Sequence, residues 1–136
     1  METFPVTDEH QARAIRRRVM ERVADAEPTH LTVAASDADW QPFSRGVRIK
    51  RLRERDGVLS YLLELEPGAT IPPHRHPMDE ECIVLQGVLR VGTTVELGPG
   101  GYHLAHGGAL HATVSTPTGA TIFLRGAVPR PDHVLG

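Results

Sequence analysis

A single cysteine, Cys82, stands in 136 residues, so no disulfide can form within the chain. That places the protein in a reducing compartment, and the cytoplasm is the expected setting. Aromatic residues make up only 4% of the chain, so a core must be assembled from Leu, Val, Ile and Ala. Charge of one sign is also missing. The formal net charge is -2, and no basic excess argues for nucleic acid or for an anionic membrane. No apolar run approaches the roughly 20 residues a membrane-spanning helix needs. The N-terminus carries no apolar core of a signal peptide. A chain of this length is expected to form one domain around one core.

Turn-forming residues, by contrast, are plentiful. The 13 Gly and 11 Pro divide the chain into short segments. Val47, Ile49 and Leu52 alternate with basic residues and predict a half-exposed strand before the Asp56-Gly57 hairpin signal. Val58–Glu66 reads as the return strand. Further short strands are expected at Leu31–Ala35, Ile83–Leu85, Val88–Val91, Thr93–Leu97, Tyr102–Ala105, Leu110–Ser115 and Thr121–Leu124. Trp40–Phe43 reads as irregular, with Trp40 as a packing anchor. Short strands at this spacing, separated by Gly and Pro turns, indicate an all-β barrel or jelly roll.

One helix is expected, over residues 8–26. Thr7 or Asp8 can cap it, Gln11 stands three after Asp8, and Pro28 ends it. Ala12, Ile15, Val19, Val23 and Ala26 form one apolar stripe, expected to dock the helix. Arg13, Arg16, Arg17, Arg18 and Arg22 occupy the rest. With no interleaved aromatics they read as a solvated face, the alternative being a surface for a regulatory partner. The resulting division is an N-terminal helical arm at 1–28, a barrel at 29–126 and a C-terminal tail at 127–136.

The chemistry concentrates in residues 68–87. His74 and His76 are two apart, so on an extended strand both imidazoles point to one face. Glu80 follows four later. Two imidazoles and a carboxylate from neighbouring strands suit a divalent transition metal, and one later His would complete four ligands. Glu81 should face outward by strand alternation, and Arg75 should point away from the histidines. Cys82 shares the face of Glu80, where it either lines a pocket or fills space as a small hydrophobe. His103 reads as solvent-facing. His10, His30 and His133 belong to no constellation.

These residues resemble the cupin superfamily. Gly68, His74, His76, Glu80 and Gly87 stand at the spacing of its first motif. Gly100, His106, Gly108, His111 and Ser115 follow the spacing of its second, with His106 in place of a Pro and Ser115 in place of an Asn. A closer resemblance is to the cupin domain of ChrR-type anti-sigma factors, carried by Trp40–Phe43 before Gly46-Val47, by His74-Arg75-His76 before Glu80-Glu81, and by Gly119 before Phe123-Leu124-Arg125-Gly126. The resemblance implies a jelly-roll barrel and a homodimer. It also implies one divalent metal per chain on His74, His76, Glu80 and His111, with zinc favoured and iron, manganese or nickel as alternatives. His106 is a further candidate for the ligand pocket. Sigma-factor binding is not implied, since the family's anti-sigma half uses paired cysteines and this chain has one. Such a centre suits a domain that binds or senses a small ligand, or a dioxygenase acting on a small chelating substrate. No nucleophile–base pair is legible.

Overall fold

The computed structural model describes residues 8–27 and 30–130. The expectations for residues 1–7, 28–29 and 131–136, His133 among them, lie outside the described residues. The chain divides into two compact units, one ending at Ala34 and one beginning at Ala35.

In the first unit, helix α1 spans Glu9–Ala26, and the Asp8 side chain caps it by accepting from the His10 amide. None of its residues is buried. Ile15, Val19 and Val23 are exposed, so the stripe expected to dock carries no buried face. Leu31–Ala35 forms no strand, contrary to expectation. Leu31 is 65% exposed, and a strand with no buried face gains nothing from its alternation.

The second unit is built almost wholly of antiparallel strands. A six-stranded sheet runs β1 (Gln41–Ser44), β2 (Val47–Arg55), β3 (Val58–Leu65), β12 (Ala120–Ala127), β6 (Glu80–Gly87) and β9 (Tyr102–Ala105) in spatial order. A four-stranded sheet runs β4 (Thr70–Ile71), β11 (Val114–Ser115), β7 (Leu89–Val91) and β8 (Val95–Leu97). A short pair joins β5 (His74–Arg75) to β10 (Leu110–His111). This is the jelly roll that the turn spacing and the resemblance predict.

Three strands differ from expectation. Trp40–Phe43 is not irregular: Gln41–Phe43 belongs to β1, where Pro42 is tolerated because β1 is an edge strand. Trp40 itself is half-buried, with the Arg48 guanidinium 5.3 Å from its ring centroid. Leu110–Ser115 splits in two, because β10 pairs with β5 while β11 pairs with β4 and β7. Thr121–Leu124 is the middle of a longer strand, which lies between β3 and β6 and pairs along its length with β3.

The core confirms the low aromatic content. Val47, Ile49, Leu59, Leu63, Leu65, Val84, Leu89, Val91, Val114, Ile122 and Leu124 are buried together. Each fully buried aliphatic side chain contributes about 1.5–3 kcal/mol. Strand β3 alternates buried and half-buried positions along its whole length. Tyr61 is the one aromatic ring buried among the described residues.

Gly87 ends the first motif for a steric reason. Its φ is +79°, and a Cβ there would stand 1.9 Å from the Gly119 carbonyl oxygen and 2.9 Å from Ala120 Cα. No side chain fits where β6 meets β12. Gly87→Ala is therefore expected to destabilise the protein by about 3 kcal/mol or more, or to prevent folding. Urea denaturation measures it, and a loss below about 1 kcal/mol would show that the strands can part without cost.

Candidate metal centre

Strand pairing assembles the site. His111 on β10 is directly opposite His74 on β5, so the two imidazoles leave the sheet side by side. Their rings stack at 16° with centroids 5.0 Å apart. His76 lies 4.5 Å from His74 and 5.7 Å from His111, nearly perpendicular to both. Glu80 enters from the first residue of β6 and is buried. Its space depends on Gly126, the residue where a Cβ would come within 3.0 Å of the Glu80 side chain.

Hydrogen bonds fix the imidazole tautomers. Nδ1–H of His74 donates to the Pro72 carbonyl at 2.9 Å, and Nδ1–H of His111 donates to the Ala112 carbonyl at 2.7 Å. Each ring thus keeps a lone pair on Nε2. Nε2–H of His76 donates to Nε2 of His74 at 3.0 Å. Tyr61 donates its hydroxyl to Oε2 of Glu80 at 3.1 Å.

The donor set suits a transition metal. Two nitrogens bound at about 2.1 Å to one ion stand roughly 3.0–3.4 Å apart between octahedral and tetrahedral angles. The Nε2–Nε2 separation of His74 and His76 lies in that range. The fourth group is less advanced. Glu80 meets His76 on its Nδ1 side, at 3.5 Å, away from the Nε2 atom that faces His74. Among the described residues no set of three or more His, Cys, Asp or Glu is already spaced to hold an ion.

Burial governs the charges. It pushes His76 down to about 4, helped by His74 and His111, and lowers His111. It raises Glu80 to about 7, against the opposing hydrogen bond from Tyr61. The Tyr61 hydroxyl is itself raised, first by burial and then by Glu80. His76 and Glu80 are therefore not an ion pair at neutral pH, despite their separation. Cys82 is buried on the face of Glu80 and lines the cavity, with its thiol pushed up to about 12 by burial and then by Glu80. It stays protonated and is no nucleophile.

The remaining candidates separate clearly. Glu81 is exposed and accepts from the Tyr102 hydroxyl, as alternation predicts. Arg75 is exposed and donates to the Gly108 carbonyl, although it also contributes to the cavity lining. His106 does not line the pocket: its side chain is 76% exposed on a turn, with Nδ1 3.9 Å from Asp79. The turn carries it outward, and Asp79 anchors that turn by accepting from the Gly107 amide. His103 faces the cavity instead of solvent, its ring 5.3 Å from that of His111. Tyr61 escaped sequence reasoning and His103 was expected to face solvent, because both positions depend on which strands become neighbours.

The histidines line a cavity together with Phe43, Leu63, Ile71, Leu89, Val91 and Ile122. The space open to water centres is ≈ 80 Å³. At about 10–15 Å³ per water position, this admits several waters or a molecule of a few heavy atoms.

Stability of the metal-free chain should follow these shifts. Glu80, raised by the fold, contributes fully below its unfolded value of 4.5 and loses that contribution as pH rises through about 7. His76, lowered by the fold, contributes fully above 6.5 and loses that contribution as pH falls through about 4. With chelator present, Glu80→Gln should match the wild type at pH 4 and exceed it at pH 8, by on the order of 2 kcal/mol. Thermal denaturation at the two pH values measures this, and parallel curves for the two proteins would refute the burial of a carboxyl group here.

A family model described as the ChrR cupin-like domain matches residues 28–128. A comparison with curated proteins finds no match. Among solved structures, an acetylacetone dioxygenase from Acinetobacter johnsonii superposes with a TM-score of 0.66 at 17% identity, over 76% of this chain and 77% of that one. KdgF from a Halomonas species gives 0.64 at 22%, over 74% and 96%. The Rhodobacter sphaeroides complex of SigE with the anti-sigma ChrR gives 0.59 at 20%, over 88% and 81%. At these identities the likeness is one of fold. No helix is long and apolar enough to cross a membrane among the described residues.

Proposed function

The chain belongs to the ChrR cupin-like domain family, and on that premise we propose that it holds one divalent metal ion and binds a small, mostly apolar molecule beside it. The observation that carries this reading is the approach of His74 and His76 through Nε2 at 3.0 Å, with His111 stacked on His74. For Nε2 of His76 to serve as a donor, its proton would shift to Nδ1, which faces Oε2 of Glu80 at 3.5 Å.

Each ligand has its own support. Pro72 and Ala112 carbonyls orient His74 and His111. Tyr61 restrains Glu80, the one ligand able to bring negative charge. When bound, a divalent ion polarises an oxygen atom of a neighbouring molecule and lowers the pKa of bound water. The apolar walls keep bulk water from competing for that position. Zinc is the first expectation, and iron, manganese and nickel fit the same donors.

Elemental analysis of protein purified without a tag or chelator should return close to one metal per chain. His76→Ala should lower metal affinity by more than about 100-fold, since it removes a donor and leaves His74 without its partner. Unchanged stoichiometry in that variant would remove His76 from the site.

A second reading is a metal-dependent dioxygenase, favoured by the apolar cavity beside the imidazoles and by the fold likeness to the acetylacetone dioxygenase. Anaerobically iron-loaded protein would then consume oxygen in proportion to added acetylacetone or a related diketone. An oxygen electrode decides: no uptake with any such compound leaves a ligand-binding domain without turnover.

A further inference from the structure

We propose that His103 is the residue that selects the bound molecule, by hydrogen-bonding a polar atom of a compact oxygen chelator seated in the cavity. The proposal rests on the metal-binding reading and adds a recognition group to it.

The argument begins with the sheet. Tyr61 pairs with Leu124, Leu124 with Cys82, and Cys82 with His103, across β3, β12, β6 and β9. Residues directly opposite one another point to the same face, so all four side chains enter the barrel. The next row sets Glu80 opposite Ala105. His103 therefore projects inward, half-buried, between the cavity wall and His111.

Its neighbours leave it unused. Tyr61 is engaged with Glu80, and His74 and His111 direct Nδ1 to carbonyls. The Cys82 thiol is buried and protonated. Among the described residues neither ring nitrogen of His103 has a hydrogen-bond partner, and its edge-on ring contact is with His111. A polar ring in an apolar chamber without a protein partner is satisfied by water or by the bound molecule. The other walls are aliphatic, prolyl and Phe43 surface, apart from Arg75, which is engaged with the Gly108 carbonyl, and Arg130. Specificity in such a pocket comes from the few polar groups that converge on it. A matching ligand has two oxygens for the metal, one hydrogen-bonding atom toward His103, and a small apolar remainder.

Cobalt(II)-loaded protein, titrated with acetohydroxamate and followed by its visible spectrum, tests this. His103→Phe should retain one cobalt per chain but bind acetohydroxamate about tenfold more weakly. His103→Gln, which keeps a donor and an acceptor, should recover part of the affinity. Equal affinity in wild type and His103→Phe would overturn the proposal, as would failure of the wild type to bind acetohydroxamate. Loss of cobalt in both variants would overturn it differently, making His103 a metal ligand. A wild type that takes up no cobalt defeats the metal centre itself and this proposal with it, an outcome read before any acetohydroxamate is added.

Discussion

The site depends on one short ladder, the pairing of β5 with β10. These strands hold two residues each, and their register sets His111 against His74. Their sequence separation is large, so the contact is made only when the barrel closes. A one-residue slip would turn His111 away from the cavity and bring Leu110 inward. The loops around the pair resist such a slip. The Gly108 amide donates to the His76 carbonyl, Arg75 donates to the Gly108 carbonyl, and the Gly107 amide donates to Asp79. These bonds tie the two motif loops together.

Around that ladder, apolar burial shapes the chemistry. The same aliphatic walls that stabilise the barrel remove water from Glu80 and His76, and both favour their neutral forms. A cation taken up there would reverse that preference for Glu80, because a nearby positive charge favours the carboxylate. The Tyr61 hydroxyl already supports the charged carboxylate. Gly126 leaves room beside Glu80. The fold and the site are thus coupled through the wall formed by β3, β12 and β6.

Helix α1 belongs to a different physical regime. Its capping and stripe are legible, yet a helix of 18 residues with no buried side chain draws little stability from packing. Periodicity foretold the helix because local hydrogen bonding and capping suffice to place it.

By itself the sequence determined whatever is local or short in range. Gly and Pro spacing marked the turns, alternation marked most strands, and the spacing of His74, His76 and Glu80 placed them on the inner face around one loop. The second motif placed His111 as the companion. Tertiary structure alone decided the rest. It split Leu110–Ser115 between two partners and carried His106 outward on its turn. It set Tyr61 against Glu80 and brought His103 into the cavity. Those outcomes depend on which strands become neighbours and in what register, and alternation within one strand holds no information about the strand beside it.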